Sequence, residues 1–289
     1  MSGGDFRQYE RPELDAQGIW EPAATTVAAA LAEKYRLSPS ATYGFALNNF
    51  RDVTFRFSRN LRNLVNENRL TSEQITQRIV QPDLFPLVLQ TLLKASETNE
   101  ATPHELLARI LGARLVSTDH SSKALLARAA EAIGGLTNDL SEVLGLIYTL
   151  FAVEPQEDYR SWLIEQFIAW ISVVEEWMAP YDDVSISEED LKYLEQIGAL
   201  HIHNMGGSMF GYSEVAGYSR LLAPLNLAWQ GLQNQYRSNH HVVRALGLME
   251  SEPKEGKRGL DSITLTPVGF TLGSCVSSIH RRTPFLSQT

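Results

Sequence analysis

One cysteine in 289 residues, Cys275, leaves no second thiol for an intrachain disulfide and too few thiolates for most cysteine metal cages. Long apolar runs are missing as well. The two longest, VLGLIYTLFAV (143–153) and FIAWISVV (167–174), fall short of the roughly 18 to 20 residues that a membrane span needs. The opening stretch, MSGGDFRQYERPELD, has no basic segment followed by an apolar core, which argues against a secretory leader. A cytoplasmic location without a membrane partner is therefore expected. Glycine patterns that cradle phosphates are also lacking: neither G-x-x-x-x-G-K-[ST] nor G-x-G-x-x-G occurs. The nucleophile elbow G-x-S-x-G fails at its fifth position in both Gly206–Phe210 and Gly211–Val215. No cofactor is implied by any of these patterns.

What the chain does contain is the composition of a globular protein, 44% hydrophobic and 20% charged, long enough for one large or two ordinary domains. Its net charge of −9 is uneven. Residues 1–235 hold 18 basic against 30 acidic residues, and residues 236–289 hold 7 against 4. An acidic body with a basic end suggests two modules of different use.

Helical periodicity dominates. Thr102-Pro103-His104-Glu105 reads as a capping box, with Thr102 at the N-cap and Glu105 reaching back. The helix that follows places Leu107, Ile110, Leu111 and Leu115 on one stripe. Thr137 opens a helix that stops before Pro155, and Ser187 opens SEEDLKYLEQIGAL with acids in its first turn. Residues 23–36, 40–69, 82–97, 120–133, 156–179 and 224–237 also read as helices. Strand signal comes late, in GLME (247–250) and SITLT (262–266), on either side of the charged loop SEPKEGKRGLD. Thr266 and Pro267 then start another helix. A helix, two strands joined by a charged tip, and a closing helix form the order of a winged-helix module. The expected fold is mainly α: a multi-helix body of stacked helical hairpins with a small C-terminal winged-helix-like α+β module. Its expected divisions are an extension over 1–22, the body over 23–180, and the terminal region over 181–289 with a Gly-rich loop at 204–217.

The segments EEDLKYLEQIGAL and VVRALGLME…ITLTPVGFTL resemble the end of many bacterial winged-helix domains. The middle, from QPDLFPLVLQTLLKAS through HELLARILGARLV to LTNDLSEVLGLIYTL, is similar to a set of uncharacterised bacterial all-helical proteins. That resemblance implies a fold over about residues 80–270 and no catalytic residue.

Several side-chain groups stand out. In FRDVTFRFSRNLRNLVNENR a 3.6-residue repeat puts Phe50, Val53, Phe57, Leu61 and Leu64 on one side. Arg51, Arg56, Arg59, Arg62 and Arg69 gather on the other, a face suited to an acidic partner or to pairing with acids of the same chain. Trp162, Trp170 and Trp177 mark a core helix, of which Trp170 and Trp177 share a face that an oligomer or partner can use. Met209 and Phe210 make the Gly-rich loop a second candidate contact. His201 and His203 point to one side of an extended segment and form a weak metal pair that needs further ligands, with His240, His241, Glu214 and Asp190 as candidates. Cys275 falls at helical spacing with Val268, Leu272 and Ile279, as a buried small hydrophobe does. The function expected first is non-enzymatic: protein–protein contacts, including contacts with a second copy. The next is DNA binding through Lys254, Lys257 and Arg258 at the wing tip and Arg237 and Arg244 on the preceding helix. A metal-dependent hydrolase built on His201 and His203 comes third.

Overall fold

The computed structural model describes residues 39–79, 81–97, 99–153, 164–202 and 263–281, besides isolated helical positions 29 and 33. Within them lie nine α-helices: α1 (Pro39–Asn66), α2 (Ser72–Ile79), α3 (Phe85–Glu97), α4 (Ala101–Val116), α5 (His120–Ile133), α6 (Asn138–Val153), α7 (Ile164–Met178), α8 (Glu188–Gln196) and α9 (Pro267–His280). A single 3-10 turn (Ala179–Tyr181) and two short strands, β1 (Leu200–Ile202) and β2 (Ile263–Leu265), are the other elements among the described residues. The protein is thus mainly helical with a small sheet, and no described helix is long and apolar enough to cross a membrane. The expected helix at 224–237, the expected strand 247–250 and the Gly-rich loop lie outside the described residues, as does nearly all of the expected helix at 23–36.

Packing divides the chain into residues 1–136 and 137–289. The boundary expected from the sequence is at 180/181, between the helical body and the terminal region. Packing instead groups α6 and α7 with the C-terminal helix, because α6 lies along α9.

In the first unit, α1 buries the expected stripe of Phe50, Val53, Phe57, Leu61 and Leu64 against α3 and α4. It ends at Asn66 rather than at the expected residue 69, because Asn68 turns left-handed (φ 55°). The Asn68 amide then donates to the Val65 carbonyl at 3.0 Å and the Arg69 amide to that of Leu64 at 2.9 Å, a Schellman closure that leaves Arg69 off the helix. The central element is α4, buried from Pro103 to Leu115 except at Arg109. Its start corrects the expected capping box. The N-cap is Glu100, with no side-chain cap, and Thr102 stands inside the first turn. Glu105 is not spent on the helix end because it faces arginines of α1. The true box of this unit is at α2, where the Gln74 amide donates to the Thr71 hydroxyl (3.2 Å) and the Thr71 amide to Gln74 Oε1 (2.9 Å).

In the second unit, α6 is buried continuously from Val143 to Leu150 and packs against α7, α8 and α9. Thr137 caps it as expected, accepting from the Leu140 amide at 3.2 Å. Glycines line its contact with α9 from both sides: Gly145 of α6 faces Val276, and Gly273 of α9 faces Leu144 and Tyr148. A Cβ on Gly145 would stand 2.6 Å from both the Tyr181 hydroxyl and Val276 Cγ1, and one on Gly273 would stand 2.5 Å from Tyr148 Cβ. The two backbones therefore approach more closely than larger side chains permit.

The expected caps of α8 and α9 are present. Ser187 and Asp190 form a reciprocal box at the start of α8. The helix ends at Gln196, short of the expected 198, where Gly198 (φ 75°) lets the Ala199 amide donate to the Leu194 carbonyl at 2.9 Å. That turn sends the chain into β1. β1 and β2 are antiparallel, with Leu200 opposite Leu265 and Ile202 opposite Ile263. The strand expected over 262–266 thus exists, and its described neighbour is Leu200–Ile202. Thr266 then caps α9, accepting from the Gly269 amide at 3.0 Å, with Pro267 in the first turn.

Candidate functional site

The densest group of polar side chains among the described residues joins α1, α3 and α4. Glu105 is buried in the first unit, its side chain only 5% exposed, at a position where an otherwise apolar helix needs a partner for its charge. Three guanidinium groups answer it. Arg59 Nη2 donates to Oε2 at 2.6 Å, Arg56 Nη1 to the same oxygen at 3.2 Å, and Arg109 Nε to Oε1 at 3.0 Å. Burial pushes the Glu105 carboxyl up, but the hydrogen bond from Arg109 and the charges of Arg59 and Arg109 hold it below its ordinary value. The network continues through Arg56, whose Nε donates to Asp52 Oδ2 at 2.9 Å.

Asp52 also meets His104, buried at 2% exposure, through Nδ1 at 2.8 Å. The opposite ring nitrogen, Nε2, lies 3.0 Å from the Ala95 carbonyl near the end of α3. Burial pushes Asp52 up, while the hydrogen bonds from His104 and Arg56 outweigh it and keep the group ionised to lower pH. The imidazole thus stands between a carboxylate oxygen of α1 and a backbone carbonyl of α3. His104 ties three helices together at one ring. Chemically the cluster is a set of matched charges whose donors and acceptors are turned on one another, an arrangement that fixes α1, α3 and α4 in register.

Cations also close helix ends in this unit. Arg78 donates to the Leu115 carbonyl in the last turn of α4, and Lys94 Nζ to that of Glu131 near the end of α5, at 2.6 Å. Arg114 pairs with Asp83 at 2.9 Å.

The expected site residues meet different outcomes. Arg51, Arg56, Arg59 and Arg62 do share the solvent side of α1, but Arg56 and Arg59 are bound to Glu105, while Arg51 and Arg62 are exposed. Trp177 is half-buried beneath the Arg281 guanidinium, 3.8 Å above the ring centre, so part of its expected contact face is already covered by the residue that ends α9. Trp170 is half-buried on α7. His201 is exposed on β1, its Nδ1 3.9 Å from Glu195 Oε1, and Asp190 is engaged in its capping box. Among the described residues no group of three or more histidine, cysteine or acidic side chains is placed to hold a metal ion. His203, Met209, Phe210, Arg237, Arg244, Lys254, Lys257 and Arg258 lie outside the described residues, as do Glu214, His240 and His241. Cys275 is fully buried, as expected.

Sequence reading missed Asp52, His104, Glu105 and Arg109 as members of one cluster. The available signal was an ionisable pair, His104-Glu105, set directly before the apolar run LLARILGARLV, where burial demands compensation. No protein-family model, curated protein or solved structure matches this chain.

Proposed function

We propose that this protein acts by binding, through protein–protein contacts that include contacts with its own copies, and that residues 181–289 form a winged-helix-like module serving that role. The observation that carries the reading is the register of β1 and β2. It sets Ile202 beside Ile263, so residues 203–262 leave and return at one place, next to the capped start of α9. A helix, a short strand, and a distant strand pairing back onto it before a closing helix is the frame of a winged-helix module. In such a frame Gly247–Glu250 would add to the remaining edge of β2, and Lys254, Lys257 and Arg258 would stand in the loop between them.

Protein rather than nucleic acid is favoured as the partner by the charge of the chain, −9 overall, and by the engagement of Arg56 and Arg59 with Glu105. The test is site-specific photo-crosslinking of the full chain in cells, with the reactive residue placed at Met209, Phe210 or Lys257. Discrete crosslinks to a protein, or to a second copy, are expected. A chain that crosslinks to no protein from any of the three positions overturns the reading. DNA binding is the second reading, supported by the basic residues of the same loop. A duplex complex that weakens with salt, and is lost in K254A/K257A/R258A, would establish it.

A further inference from the structure

One face of α1 is exposed to solvent along its length. Asn48, Arg51, Phe55, Arg59, Arg62 and Asn66 follow at spacings of three and four, and all six are exposed. At 1.5 Å per residue the stripe runs about 27 Å. No acid stands within it; the Arg59 side chain stays 51% exposed although one of its nitrogens reaches Glu105. Every cation of α1 is arginine, the residue whose planar fork matches carboxylates two bonds at a time. The second unit carries the counterpart. From 164 to 191 the sequence has eight acids and no lysine or arginine. Glu175, Glu176, Asp182, Asp183, Glu188 and Glu189 in this stretch are exposed.

We infer that the arginine face of α1 in one copy docks on the acidic 175–189 stretch of a second copy. This rests on the reading of the chain as a binding protein and names one of its partners. Copies of a chain with net charge −9 repel one another at random encounter, so association requires a local cationic surface placed against a local anionic one. The stripe is where the described residues concentrate cations on one face. The two surfaces differ, so each contact pairs one face of one copy with the other face of its partner. Each copy brings one face of each kind to the association, which grows with concentration.

Sedimentation velocity of the full chain at about 50 and about 500 mM NaCl tests this, since screening shortens from roughly 14 Å to roughly 4 Å over that range. We expect concentration-dependent oligomers at low salt, weakened on the order of tenfold or more at high salt. R51E/R62E and E176R/D183R should each be monomeric alone, with unchanged circular dichroism, and should associate when mixed, because the reversed faces again complement each other. Three outcomes overturn the proposal: a monomer at low salt, oligomers indifferent to salt and to both variants, or variants that fail to associate on mixing. An R51E/R62E-sensitive complex with duplex DNA and no self-association also overturns it. None of these would remove crosslinks made from residues 203–262, so the broader binding reading is tested separately.

Discussion

Replacing Gly269 with alanine sets two effects of opposite sign against each other. Helix propensity favours alanine by up to ~1 kcal/mol. The site opposes it: a Cβ at this position would stand 2.7 Å from the Ala199 carbonyl carbon and 3.2 Å from its Cα, closer still to the oxygen, and all of these are backbone atoms. No rotamer change relieves such an overlap, so the first turn of α9 must lift off the β1 side of the sheet. The lift strains the bond from the Thr266 amide to the Ala199 carbonyl (3.1 Å) and the one from the Thr266 hydroxyl to Gly198 (2.6 Å). Two hydrogen bonds at ~1 kcal/mol each, together with ~1–3 kcal/mol of overpacking, outweigh the propensity gain and leave a net loss of ~2–4 kcal/mol. Gly44→Ala is the matched control, since an added Cβ on α1 meets nothing within 4 Å; it should stabilise by ~0.5–1 kcal/mol. Urea unfolding separates the two. Four of the five tryptophans (Trp162, Trp170, Trp177 and Trp229) fall in residues 137–289, so fluorescence follows the second unit while circular dichroism follows both. The fluorescence midpoint of G269A should fall by about 1–2 M, taking a slope of about 2 kcal/mol per molar. A G269A protein as stable as the wild type would refute the seating of α9 on Ala199.

Glu105→Gln removes the charge that gathers Arg56, Arg59 and Arg109. It should cost ~2 kcal/mol in the circular dichroism transition, and Glu105→Ala ~3 kcal/mol, because the partly exposed arginines can turn to water. The carboxyl is held below its usual value of 4.5, so its contribution is present above that pH and disappears as pH falls further; E105Q should flatten that acid loss, and identical acid profiles would exclude the network as its source. Burial pushes the Tyr181 phenol from 10 up to about 12, which makes its contribution complete below pH 10 and lost as pH rises toward 12. Tyr181→Phe should therefore lose less stability over that interval than the wild type, read by tryptophan fluorescence, and equal losses would count against the burial account.

The helices were legible where a short-range rule acts alone. Thr137, Ser187 and Thr266 each combine a side-chain acceptor with a helical continuation, and each caps a helix in the structure. Thr102 satisfies the same rule yet does not cap, because the Glu105 carboxylate lowers its energy further among three arginines than at a solvated helix end. Thr71-Ser72-Glu73-Gln74 also fits the rule and went unread; α2 is short and lacks a long apolar stripe to draw notice. The pairing of Leu200–Ile202 with Ile263–Leu265 was beyond local reasoning, since three-residue strands carry almost no periodicity and the partners are far apart in the chain. The charge cluster failed for a similar reason. Asp52 and His104 are neighbours only because α1 and α4 cross, and helix spacing describes each face without saying which faces meet.

The contact between α6 and α9 carries a consequence for how the chain is made. Its halves, residues 138–153 and 267–280, emerge from the ribosome far apart in time. At about 5–20 residues per second the wait from Val153 to Pro267 is roughly 6–23 s. Throughout that interval the run from Val143 to Leu150 exists without the helix whose glycines complete its cover. The second unit therefore gains its full cohesion late in synthesis, and α6 offers a chaperone that shields short apolar helices an interval of that length.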